Sequence, residues 1–152
     1  MARSPVRYIY RKPLQAIALT PTSQVAIAGD SAGGNMALGL LGHILNPRAD
    51  VPKVELSEPL AAAVLISPWI SFKTDDDSWK RNATADMLPP EAVYRWRSLF
   101  LGDKQADEYS EPIRADANFY SGLPQVSSIL TGQYKANLCV GCPRHFCLGR
   151  WS

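Results

Sequence analysis

Apolar positions follow two different spacings along this chain. Val25-Ala26-Ile27-Ala28 is an unbroken apolar run, with Thr, Pro and Ser before it and Gly29 after it. Such a run predicts a buried strand. From Ala32 to Leu45 the spacing becomes helical: Met36, Leu40 and Ile44 recur with Leu41 and Leu45 beside them, and Asn46-Pro47 stops the pattern. Pro47, Pro52 and Pro59 mark a loop. Ala61–Ser67 (AAAVLIS) predicts a second buried strand, ended by Pro68. Pro89-Pro90 open a helix over Glu91–Leu101, with Val93, Trp96, Leu99 and Phe100 on one face and Gly102 just past its end. Glu111–Pro124 is irregular, and Val126–Thr131 predicts a third strand. Near the start, Val6, Ile9 and Tyr10 fit the apolar side of a helix end. Continuous apolar strands alternating with helices predict an α/β fold with a parallel sheet.

Composition narrows the function classes. The chain has 152 residues, 46% apolar and 20% charged, which suits one globular domain or a piece of one. Sixteen Lys and Arg against fourteen Asp and Glu leave a charge of +2, too little to imply nucleic acid or an anionic membrane. Apolar runs such as Leu60–Pro68 fall far short of the ~20 residues of a membrane span. No short apolar segment follows the basic start, so a cytoplasmic location is expected. Arg3, Arg7, Arg11 and Lys12, with no acid before Asp30, also fit a transit peptide, although a helix end is the preferred reading. Without a secretion signal the sequon Asn82-Ala83-Thr84 is expected to stay unmodified. Asp75-Asp76-Asp77 lacks metal-ligand spacing and reads as a solvated loop or a helix start.

One motif carries chemistry. Gly29-Asp30-Ser31-Ala32-Gly33, extended by Gly34, has the form G-x-S-x-G and lies between a predicted strand and a predicted helix. That context is a nucleophile elbow, a sharp turn that lifts the serine above the sheet edge. Gly29, Gly33 and Gly34 keep the neighbouring backbone close. The Ala32 N–H stands at a helix N-terminus, where a developing oxyanion is favoured. Asp30 is expected to hydrogen-bond locally and not to serve as the orienting acid. A trypsin-type site is excluded, since no His precedes Ser31 and a long helix follows it.

At these residues the sequence resembles the α/β-hydrolase superfamily, and more narrowly the hormone-sensitive-lipase-like esterases (the fold-3 group). The resemblance rests on Val25–Met36 (VAIAGDSAGGNM). Leu65–Trp69 (LISPW), Asn82–Leu88 (NATADML), Trp96, Leu101-Gly102 and Gly122-Leu123-Pro124 before Val126–Leu130 follow in the family's order. It implies a partial hydrolase sheet, mostly parallel, with helices on both faces. It further implies an acyl-enzyme mechanism with Ser31 as nucleophile, Ala32 as an oxyanion donor, small-molecule esters as substrates and no metal or organic cofactor. Trp69, Trp79 and Trp96 could line a pocket under a cap, but packing is the commoner use of such residues.

The chain departs from the family in three respects. No His-Gly-Gly-Gly-type segment precedes Ser31, and one lost oxyanion donor costs about 3–4 kcal/mol in other hydrolases. The stretch after the third predicted strand, Thr131-Gly132-Gln133-Tyr134-Lys135-Ala136, offers no carboxylate as triad acid. The triad histidine is also unassigned. His43 would stand ~18 Å along the helix from Ser31, and His145 sits in a sequence unlike the family's loop. At most trace hydrolysis is expected, the alternative being a catalytically dead fragment acting as an interaction protein or without function. A hydrolase-like domain is expected over 1–131, with 132–152 as an atypical tail from an altered reading frame or retained intron. Cys139, Cys142, His145 and Cys147 are too closely spaced for the usual zinc modules, so no metal site is assigned. An uncovered sheet edge would favour self-association.

Overall fold

Strand β1 (Ala26–Asp30) and strand β2 (Ala62–Ile66) run parallel, with Ala26 opposite Ala62 and Asp30 opposite Ile66. Strand β3 (Val126–Ile129) continues the parallel sheet on the far side of β2, with Ala63 opposite Val126. The computed structural model describes residues 21–85, 87–116, 118–123 and 126–129, the last four by their backbone. Among these residues the strand order is β1-β2-β3. Parallel neighbours need a crossover, and helix α1 (Ala32–Leu45) supplies it between β1 and β2. Two further helices are α2 (Asp77–Arg81) and α3 (Pro90–Leu101), with 3-10 turns at Thr22–Gln24 and Pro112–Arg114. The acidic run thus begins a helix, with Asp76 just before it. The predicted helix near Val6, the tail and its cysteines lie outside the described residues.

Sequence explains where the helices stop. After α1, the Asn46 N–H returns to the Gly42 carbonyl at 2.7 Å, and Pro47 cannot continue the ladder. Pro90 occupies the first turn of α3, where its missing N–H is harmless. At the other end Gly102 takes φ +58° and ψ −127°, a conformation open to glycine and strained for other residues.

Helix α1 is apolar nearly all round and is buried nearly all round. Leu38 packs with Leu65, Ile70 and Tyr120, while Leu41 packs with Leu60 and Ala63. Full burial of each such leucine stabilises the fold by roughly 1.5–3 kcal/mol. The segment 107–120 runs along another side of α1. The Tyr109 hydroxyl donates to the Asn46 carbonyl at 2.7 Å, and the Asn46 amide donates to the Phe119 carbonyl at 2.6 Å. Glu111, buried, accepts the Phe72 N–H at 2.7 Å and an ion pair from Arg114, tying this segment to the loop after β2.

Three burial expectations change. β1 alternates in exposure, with Ala26, Ala28 and Asp30 open, because α1 covers only the face that carries Ile27. Met36 is 36% exposed, since its side of α1 turns away from the packed segments. On α3 only Val93 is buried, while Trp96 (45%) and Leu99 (70%) are exposed. The apolar stripe of α3 is therefore covered only in part among the described residues, at Val93 and where the Phe100 ring meets Phe72 edge-on at 6.3 Å.

Candidate active site

Ser31 stands between the last residue of β1 and the first of α1. Its φ is +53° and its ψ −115°, a conformation that costs a non-glycine residue about 1–3 kcal/mol and persists only when neighbours enforce it. The neighbours are identifiable. The Ser31 N–H donates to the Ile66 carbonyl at 2.9 Å, carrying the parallel pairing one residue past β1. The Ser31 carbonyl accepts the Trp69 N–H at 2.9 Å and the Asn35 N–H at 3.1 Å. Ser67 also has positive φ, +41°, so both strands leave the sheet through strained serines.

The glycines have unequal duties. A Cβ on Gly29 would meet the Gly33 carbonyl oxygen, and one on Gly34 would stand 2.7 Å from Cβ of Pro68. A Cβ on Gly33 would meet nothing within 4 Å. Close backbone approach therefore leaves no room for a side chain at Gly29 and Gly34, whereas Gly33 faces open space.

Ser31 is exposed, and its hydroxyl does not cap α1. Its Oγ is thus left available above the sheet edge. Ala32, also exposed, begins the helix, and an N–H in the first turn has no acceptor within the helix. A serine hydroxyl and a first-turn N–H are thus neighbours in this turn. Asp30 is exposed, and among the described residues its carboxylate makes no hydrogen bond to the turn, contrary to expectation. In a strand that bares this face, the side chain points to solvent.

His43 is fully buried. Its Nδ1 accepts the Arg48 N–H at 3.0 Å, so Nε2 carries the proton donated to the Pro52 carbonyl at 3.0 Å. Both nitrogens are committed to the loop after α1, away from Ser31. His145 and the stretch after β3, where a triad acid was sought, lie outside the described residues. No cluster of metal-ligating side chains occurs among the described residues. Trp69, half-buried, packs edge-on against Phe72 at 4.9 Å between ring centroids.

Sequence reasoning missed two sets of residues. Asn35 is buried inside the apolar span of α1, and its amide reaches two backbone carbonyls. A polar residue inside an apolar helical stretch is the signal, because burial obliges it to find partners. Arg48 pairs with Asp50 and Asp107 and lies over the Tyr109 ring. Nothing in the local pattern joins residues so far apart. Hydrogen bonding to Asp50 and Asp107 outweighs burial and raises the Arg48 pKa.

A family model described as alpha/beta hydrolase fold matches residues 6–135. Among solved structures, an esterase from the bacterial hormone-sensitive lipase (HSL) family is 32% identical with a TM-score of 0.59; the match covers 77% of this chain and 36% of that one. A hormone-sensitive lipase from a metagenome library is 26% identical with a TM-score of 0.57, over 80% of this chain and 37% of that one. Carboxyl esterase 2 of the mycorrhizal fungus Tuber melanosporum is 19% identical with a TM-score of 0.58, over 82% and 39%, a likeness of fold alone. The chain spans a little over a third of the length of these structures. No curated protein matches.

Proposed function

This chain belongs to the alpha/beta hydrolase fold family, and we propose that it is a carboxylic-ester hydrolase of the hormone-sensitive-lipase-like kind with Ser31 as its nucleophile. The observation that carries this reading is the strained, exposed Ser31 between β1 and α1, its hydroxyl uncommitted to the helix it precedes. Oγ attacks the ester carbonyl carbon and its proton passes to a base. The tetrahedral oxyanion takes the Ala32 N–H, the alkoxide leaves with a proton, and water then releases the acid from the acyl-enzyme. The substrates are small-molecule esters, consistent with the esterases to which the chain is similar. No metal or organic cofactor enters this chemistry.

Among the described residues nothing supplies the base, since His43 is locked against Pro52 and Arg48. With the described residues alone, turnover is at most trace, because a lone serine hydroxyl is a poor nucleophile at neutral pH. The same observation favours a second reading, a hydrolase-like fragment without catalysis that acts through contacts. β1 ends the strand order among the described residues and bares Ala26 and Ala28, which supports self-association. No helix among the described residues is long and apolar enough to cross a membrane.

The test is hydrolysis of a short-chain nitrophenyl ester by the purified chain and by Ser31→Ala. Slow turnover lost in the variant supports the esterase reading, and equal rates support the second. A sharp monomeric peak in size-exclusion chromatography would contradict self-association.

A further inference from the structure

We infer that Asn35 is a positioning residue for the Ser31 turn; the link to reactivity rests on the reading of Ser31 as nucleophile. Asn35 is 2% exposed. Its Nδ2 donates to the Trp69 carbonyl at 2.7 Å and to the Ser110 carbonyl at 2.8 Å, which uses both amide hydrogens. Its backbone N–H donates to the Ser31 carbonyl, which also accepts the Trp69 N–H. Three hydrogen bonds thus close a ring through Ser31, Asn35 and Trp69, and the fourth anchors that ring to the segment 107–111.

The ring sits where the backbone needs it. The Ser31 N–H is fixed by β2 through Ile66, so the strand holds the amide side of the strained residue. The carbonyl side depends on where Trp69 lies; its loop is held further on, by Ile70 against Leu38 and by the Phe72 N–H on Glu111, and Asn35 is the side chain that grips it at Trp69 itself. The Asn35 carboxamide holds that loop against the first turn of α1. A methyl group at position 35 donates nothing. A carboxylate would turn acceptors toward two carbonyl oxygens. Either change removes the direct hold on the Trp69 carbonyl, so the Trp69 N–H is aimed less firmly at the Ser31 carbonyl and the strained φ of Ser31 is less firmly enforced.

The experiment compares the parent chain with Asn35→Ala, the isosteric Asn35→Asp, and Val51→Ala. Val51→Ala removes buried carbon from the loop after α1 and controls for general loss of stability. Hydrogen exchange is followed over residues 30–36 and 67–70, and covalent labelling of Ser31 by a sulfonyl fluoride is followed by intact mass. In the parent, the Trp69 amide should be protected to the same degree as α1. Exchange at loop rates there would overturn the inference even if no variant folds. Both Asn35 variants should exchange these two segments about tenfold faster or more, and Val51→Ala should not. The maximal labelling rate should fall roughly ten- to a hundredfold, with the half-saturating reagent concentration unchanged, since Asn35 does not touch the reagent. Equal effects of Asn35→Ala and Val51→Ala, or none from either Asn35 variant, would overturn the inference. Selective exchange with no labelling of the parent would sink the nucleophile reading and leave the positioning role standing.

Discussion

A Cβ placed on Gly29 would stand 2.2 Å from the carbonyl oxygen of Gly33. No flexible side chain can yield there, because the obstacle is the backbone of the first turn of α1. Gly29→Ala should therefore cost about 1–3 kcal/mol or more, the usual penalty of overpacking. Gly34→Ala, facing Pro68, should behave alike. Gly33→Ala meets open space inside a helix and should be neutral or stabilising by up to about 1 kcal/mol. Urea unfolding midpoints of the three variants check the order.

Ser31 keeps its hydroxyl at the expense of an unfavourable φ. Glycine adopts that conformation without strain, although it gains freedom in the unfolded chain. Ser31→Gly should raise stability by about 1 kcal/mol, the strain relieved less that entropy, and should abolish labelling by a sulfonyl fluoride. A thermal melt beside the labelling assay reads both. A loss of stability would show that the neighbours of Ser31 do not strain it.

Asp107 joins the end of α1 to the segment 107–120. It accepts from the Tyr109 and Ser110 N–H groups and from the Ser110 hydroxyl, and it pairs with Arg48. Burial would raise its pKa, but the donors of Arg48 and Ser110 outweigh burial and hold it below the ordinary value. A pKa lowered by folding adds stability above the unfolded value of about 4 and loses it as pH falls through the folded one. Asp107→Asn keeps an acceptor for the turn and removes the charge. It should cost about 1 kcal/mol at pH 7, the partial exposure of the pair screening it. The gap from the parent should close below about pH 4. Denaturant midpoints at pH 7 and pH 3 measure it, and a gap that widens in acid would contradict the sign.

His43 is expected to matter for folding and not for chemistry. His43→Ala strands the Arg48 N–H and the Pro52 carbonyl and opens a cavity in a fully buried site. The cost should be about 2–4 kcal/mol. Below its melting temperature the variant should label at Ser31 as fast as the parent. Slower labelling in a folded sample would return His43 to the site.

The sequence by itself determined the elements and the turn. The apolar runs Val25–Ala28 and Ala61–Ser67, the helical spacing from Ala32 to Leu45, and Pro90 and Gly102 at the ends of α3 are local signals. Strand, turn and helix formation respond to near neighbours, so these elements lay where expected to within a residue or two. The turn at Ser31 between strand and helix was legible for the same reason, since it is written in five consecutive residues. The tertiary structure alone decided what touches what. Asn35 reaching Trp69 and Ser110, Arg48 reaching Asp107, and His43 gripping Pro52 join side chains to groups that become neighbours only after the helix has docked. Tertiary structure also left Trp96 and Leu99 of α3 in solvent, against their spacing. An apolar stripe records that a face can be buried, and only the presence of a second layer buries it.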